Sequence, residues 1–291
     1  MRIRFMGVAC ALFSVSPFGS SSFAQTKSTS PAKAPPVAKE AALASEAAGG
    51  GASCANLPDH ARLAAALAEV ARGGNAGIFT PNMMWATIVD RGGTVCAVAK
   101  TGDAWPGSRV ISAQKASTAS AFSNEKLALS TANLFSAVQP GGSLYGLQHS
   151  NPVSTEAAYK GTPAAFGTAS DPMVGSRIGG VNVFGGGLAL YGDKNAVLGG
   201  LGVSGDTSCA DHIIAWRLRK ALGFKVPKGI SGTSDDNIVH DISGDRSAGG
   251  FGHPVCSPDA KAMAEGLPSE KAEKAEKAEK AEKAEKAEKA K

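Results

Sequence analysis

The stretch 179–216, GGVNVFGGGLALYGDKNAVLGGLGVSGDTSCADHIIAW, limits what this chain can fold into more than any other. Apolar residues run through Leu188 to Tyr191 and again through Ala196 to Val203, with the polar turn Gly192-Asp193-Lys194-Asn195 between them. That pattern reads as a β-hairpin. Its second strand carries Gly199, Gly200 and Gly202, and glycine weakens a strand unless another backbone or a ligand must come close. The strand ends in Val203-Ser204-Gly205 and passes at once into a helix, with Asp206, Thr207 and Ser208 as N-cap types ahead of Ile213, Ile214, Trp216 and Leu218. Such a corner exposes N–H groups able to hold an anion, although a tight strand-to-helix turn accounts for the pattern by itself.

The elements before it follow from local patterning. Leu57, Leu63, Leu67 and Val70 form a helical stripe closed by Gly73-Gly74. Trp85 to Val89, the turn Asp90-Arg91-Gly92-Gly93 and Thr94 to Ala99 make a second hairpin. The segment SRVISAQKASTASAF (108–122) predicts a helix whose apolar face, Val110, Ile111, Ala113, Ala116, Ala119 and Phe122, is mostly small, so that a backbone or a flat ligand can approach. A further helix is predicted over Lys126 to Val138, stopping at Pro140-Gly141-Gly142. From Tyr145 to Ile178 runs a Pro/Gly-punctuated loop of a length that tends to be functional or oligomer-building. The last helix fades near Phe224 to Pro227.

The ends set the compartment and the domain limits. Arg2 and Arg4, the apolar run Phe5 to Val15 and the small residues up to Ala24 read as a secretory signal peptide over residues 1–24. Residues 25–53 are an Ala/Pro/Lys linker with almost nothing to bury. The foldable domain is expected over 54–226, a polar extension over 227–262 and a tail over 263–291 that repeats Glu-Lys-Ala as a charged spacer. The net charge of +5 is mild and dispersed, which argues against a nucleic-acid groove. No stretch after the leader reaches the roughly 20 apolar residues needed to span a bilayer. A periplasmic or secreted protein is expected. Cys54, Cys96, Cys209 and Cys256 remain after the leader, an even number in an oxidising compartment, and predict two disulfides in one of three pairings. A cysteine metal site has little support, because no two cysteines have C-x-x-C spacing.

Three separated signatures carry a resemblance: Val89-Asp90-Arg91-Gly92-Gly93, Lys115-Ala116-Ser117-Thr118-Ala119, and Gly185-Gly186-Gly187 with Val203-Ser204-Gly205 and Asp211-x-x-Ile214-Ala215. In this order and spacing, over about Leu57 to Leu222, the chain resembles the haem-binding GlcG/HbpS family, which is also similar to the C-terminal domain of PduO-type proteins. It departs from that pattern around Ala189, where a proline is often found, and in its longer loop from His149 to Ile178. The resemblance implies a profilin-like α/β layer fold, an antiparallel sheet of about five strands flanked by helices. It also implies a homo-oligomer and a haem or similar tetrapyrrole as partner and cofactor.

A haem site needs an apolar slot, a cation for the propionates and an axial ligand. The candidate ligands are His149, which opens the long loop, and Tyr145, then His60, His212 and the Met83-Met84 pair, with His240 and His253 in the extension. The resemblance turns the helix segment with Lys115 and Thr118 toward the ligand, so Lys115 is the choice for a propionate and Thr118 a weak oxygen contact beside it. Arg109 and Arg177 offer the same charge, while a lysine lying over small residues is the structural alternative for Lys115. Asp211 suits the positive end of its helix. Ser204 lacks both the G-x-S-x-G pattern and a histidine partner, so an independent hydrolase is disfavoured. Three functions remain: an exported haem-binding, haem-delivery or sensing protein; a haem-degrading or peroxide-handling enzyme on the same pocket; and a cofactor-free oligomeric envelope protein.

Overall fold

The computed structural model describes residues 54–225 and 227–269. The expected signal peptide, the linker and the Glu-Lys-Ala repeat from residue 270 onward lie outside the described residues. Helix α1 (His60–Ala71) starts where the Asp59 carboxylate accepts the Arg62 N–H at 2.9 Å, and it buries Leu63, Leu67 and Ala71 at four-residue spacing. Strands β1 (Trp85–Asp90) and β2 (Val95–Lys100) form the first hairpin. Helix α2 (Gly107–Ala121) and a short α3 (Thr155–Ala158) follow. Strands β3 (Gly187–Tyr191) and β4 (Val197–Ser204) form the glycine-dense hairpin, and helix α4 (Ser208–Ala221) leaves it directly, N-capped by Thr207.

The sheet is antiparallel throughout, in the order β2-β1-β4-β3, so the two hairpins sit side by side with β1 and β4 at the centre. Among the described residues it has four strands rather than about five. The long loop, punctuated by Pro152, Pro163 and Pro172, adds isolated bridges, Thr94 to Arg177 and Val153 to Gly179.

Strand alternation sorts the core into two faces. Ile88, Leu188, Leu190, Leu201 and Val203 join Leu63 and Leu67 of α1 and Ile213, Ile214 and Trp216 of α4 on one face. Trp85, Val89 and Val98 join Val110, Ala113 and Ala116 of α2 on the other. On that second face β4 presents Gly200 and Gly202, and a Cβ added at either would lie closer than 3.0 Å to the carbonyl oxygen of Ala116 or of Ser112. The helix therefore rests backbone against backbone on the strand. Both the glycines of β4 and the small residues of α2, with Ser112, Ala113, Ala116, Ala119 and Ser120 all buried, are needed for that approach.

The helix expected over Lys126 to Val138 is replaced by an extended stretch and two short 3-10 turns, Thr131–Leu134 and Ser136–Val138. Tertiary hydrogen bonds outcompete the helical pattern there. The Ala128 N–H goes to Lys228 O at 2.9 Å, Ser130 and Asn133 form a capping box, and Thr131 Oγ1 donates to Phe184 O while accepting the Gly187 N–H.

Beyond α4 the chain adds the two-residue strands β5 (Ile242–Ser243) and β6 (Arg246–Ser247) and helix α5 (Pro258–Glu265). This extension is less polar in its contacts than its composition suggests. Ile238, Ala260, Ala264 and Leu267 enter the same core as α1 and α4, and the boundary expected after residue 262 falls inside α5. The disulfides are Cys54–Cys96 and Cys209–Cys256, with Cα separations of 5.5 and 6.0 Å. The first joins the start of the domain to β2, and the second joins α4 to the extension. No helix among the described residues is long and apolar enough to cross a membrane.

Gly202→Ala is expected to destabilise the protein by about 3 kcal/mol or more, because α2 must lift off β4. Gly74→Ala, where nothing lies within 4 Å, should stay within about 0.5 kcal/mol of the parent. Urea unfolding curves check this, and equal midpoints for the two variants would contradict the close-packing account.

Candidate functional site

Two of the cations that the sequence offers for an anionic ligand, Lys115 and Arg109, are paired inside the protein. Lys115 is buried, its Nζ donating to Asp211 Oδ2 at 2.7 Å and to Val203 O at 3.0 Å. Burial pushes the Lys115 amine down and the Asp211 carboxyl up to about 6, while their mutual contact opposes both shifts. Removing one partner of such a pair strands the other and costs about 3–5 kcal/mol. Replacing Lys115, the residue expected to reach a propionate, therefore tests the fold as well as any ligand affinity. Thr118 is also buried, donating to Gln114 O at 2.8 Å and accepting the Asn182 N–H at 3.1 Å. Arg109 grips Asp171 with two bonds, donates to Ala158 O at 2.7 Å and lies 3.7 Å over the Phe166 ring. That grip fastens the long loop onto α2. Arg219 forks onto Asp236 at 2.6 and 2.8 Å and fastens the extension in the same way. Arg177 contacts Thr94 Oγ1, and His60 bonds Val98 O at 2.9 Å. Met84 is core, Met83 packs beside the second cluster, and Ser204 is buried at the end of β4.

Tyr145 and His149 sit elsewhere. Both are exposed, and neither ring makes a hydrogen bond within the described residues. They belong to a run of turns that follows, in the chain, residues 135–143, which line a cleft of about 600 Å³. The Leu144 N–H is tied to Ala137 O at 2.8 Å, the Tyr145 N–H to Gly142 O at 3.3 Å and the His149 N–H to Gly146 O at 3.1 Å. The cleft lies between residues 135–143 and the β5–β6 hairpin, with Phe135, Pro140, Ile242 and Pro254 as apolar lining and Arg246 exposed at its edge beside Asp245. Its volume is that of a small-molecule or cofactor site. Sequence reasoning missed it because half of it comes from the extension, and Arg246 stands in a polar run with no periodicity to mark it.

A second grouping lies under the same hairpin. His253 is buried, its ring tilted against that of Phe135 with centroids 5.0 Å apart, and bonds Ser208 Oγ through Nε2 and Pro254 O through Nδ1, each at 2.8 Å. Cys209 and Cys256 adjoin it. The spacing His253-x-x-Cys256 was the available signal, and a search confined to C-x-x-C passes over it. His212 and His240 are turned into the structure as well: His212 Nε2 meets Asn237 Oδ1 at 3.2 Å and accepts the Ile238 N–H, and His240 Nδ1 meets His253 O.

Residues 59–218, over half of the chain, match the family model described as haem degrading protein HbpS-like, and the chain belongs to that family. Among solved structures it is similar to the Klebsiella pneumoniae protein ORFY, at 27% identity over 55% of this chain and 85% of that one with a TM-score of 0.39. It is similar to PduOC in complex with haem at 29% identity, 56% and 91% coverage and a TM-score of 0.38. A double mutant of Streptomyces reticuli HbpS stands at 18% identity, 56% and 84% coverage and a TM-score of 0.37. No curated protein sequence matches the chain.

Burial lowers His212 to about 3 and His253 to about 4, so the fold holds both neutral. In the unfolded chain they titrate at 6.5, so below that pH the unfolded state binds more protons and stability falls as the medium turns acid. Asp211, raised to about 6, acts in the opposite sense between 3.8 and its raised value, but one carboxyl stands against two imidazoles. The thermal midpoint should drop between about pH 7 and about pH 5, and His253→Gln should flatten that slope. A midpoint independent of pH would contradict the neutral-histidine assignment.

Proposed function

We propose that this chain is an exported haem-binding protein whose haem seat is the cleft between residues 135–143 and the β5–β6 hairpin. The observation that carries the reading is membership of the haem degrading HbpS-like family over residues 59–218. In this reading Phe135, Ile242 and Pro254 would meet a porphyrin face, the Arg246 guanidinium would meet a propionate, and Tyr145 or His149, on the turns that follow residue 143, would reach the iron. Bound haem would supply the iron-centred redox chemistry. The protein's part is to hold the ring, keep water from one face and neutralise the carboxylates. Two disulfides support export to an oxidising compartment, where such a protein would sequester or deliver haem. The family's description favours a second reading, haem degradation in the same cleft.

Titrating the protein with haemin should give a saturable Soret shift at one haem per chain. Arg246→Ala should weaken affinity roughly tenfold, the equivalent of about 1.4 kcal/mol. Loss of the band with release of iron under reductant or peroxide supports degradation, and a stable band supports sequestration. A broad, non-saturating spectrum would contradict both.

A further inference from the structure

Cys209 is the second residue of α4, and Cys256 lies in the extension two residues before α5. A nitrogen of His253 completes a group whose three ligand atoms all lie within 4.8 Å of one another. Pro254 O can only accept, so Nδ1 carries the proton and Nε2 keeps its lone pair, which receives the Ser208 hydroxyl at 2.8 Å. The Cys209 N–H at the start of the helix points at Cys256 Sγ, 3.2 Å away, and favours a thiolate there. Cys256 is exposed and lines a cavity of about 200 Å³ with Thr207, Ser257 and Asp259, which leaves room for a water beside the sulfur. Two sulfurs and one imidazole with an open fourth position suit zinc.

We propose that Cys209, Cys256 and His253 form a redox-gated zinc site, closed to metal in the disulfide form and created by reduction. A dithiol reductant supplies the electrons. One of its thiolates attacks the exposed Cys256 sulfur and expels Cys209 as a thiolate. Its second thiolate then breaks the mixed disulfide, closing the reductant's own disulfide and freeing Cys256. Two electrons pass to the protein, the reductant's two protons are released, and the two protein thiolates take one divalent zinc. Among the described residues the second cystine is grouped with the Asp90 carboxylate, a harder donor that also accepts the Thr94 N–H.

The test uses the full chain with Cys10→Ser, reduced by a phosphine under argon and titrated with cobalt(II) as a spectroscopic stand-in for zinc. One cobalt per chain with thiolate charge-transfer and tetrahedral d–d bands is expected, displaced by zinc, and absent from the unreduced protein. Cys209→Ser with Cys256→Ser should abolish the bands, His253→Gln should shift the d–d envelope and weaken binding at least tenfold, and Cys54→Ser with Cys96→Ser should keep them. Circular dichroism follows the fold in each sample. Bands in the oxidised protein, bands that survive loss of Cys209 and Cys256, indifference to His253→Gln, or a reduced protein that binds no cobalt would each overturn the proposal.

Discussion

The close approach of helix α2 to strand β4 is the constraint on which the rest of the structure depends. Gly200 and Gly202 leave no room for a Cβ, so the carbonyls of Ser112 and Ala116 rest on the strand itself. That contact fixes the height of one helical layer, while Leu201 and Val203 on the opposite face hold α1 and α4. It also explains why Lys115 is internal. A lysine on a helix pressed against a sheet has no path to water, and it survives there because Asp211 at the start of α4 meets it across the end of β4.

Two further buried ion pairs attach the irregular parts of the chain to this layered core. Arg109 with Asp171 pins the long loop, and Arg219 with Asp236 pins the extension. Each arginine lies in a helix and each aspartate in a segment without regular structure. These pairs give the loops the fixed geometry that apolar contacts alone do not specify. They also consume charge, so Arg109 and Arg219 are held inside the protein, whereas Arg246 on the β5–β6 hairpin is exposed and lines the cleft.

The two hairpins, α1, α2 and α4 were legible because each rests on local signals: alternation, a helical stripe, an N-cap at Thr207 and the glycines of β4. What stayed hidden depends on partners distant in the chain. Asp171 lies 62 residues from Arg109, and Asp211 lies 96 from Lys115. Neither separation leaves a periodic trace. The segment from Lys126 has a plausible helical pattern, yet its backbone bonds are taken by Lys228 and by its own cap. Tyr145 and His149 were legible as exposed loop residues, whereas the cleft lined by residues 135–143 needs the extension as its second wall.

Placing the haem seat in that cleft makes the extension part of the functional unit, although residues 219–269 fall outside the family match. The most direct test is to crystallise the haem-loaded protein and locate the iron by its anomalous scattering. A single iron per chain between Phe135 and Arg246, ligated by Tyr145 or His149, is the predicted result. Iron seated against α2 at Lys115, or on a surface remote from the β5–β6 hairpin, would contradict the account.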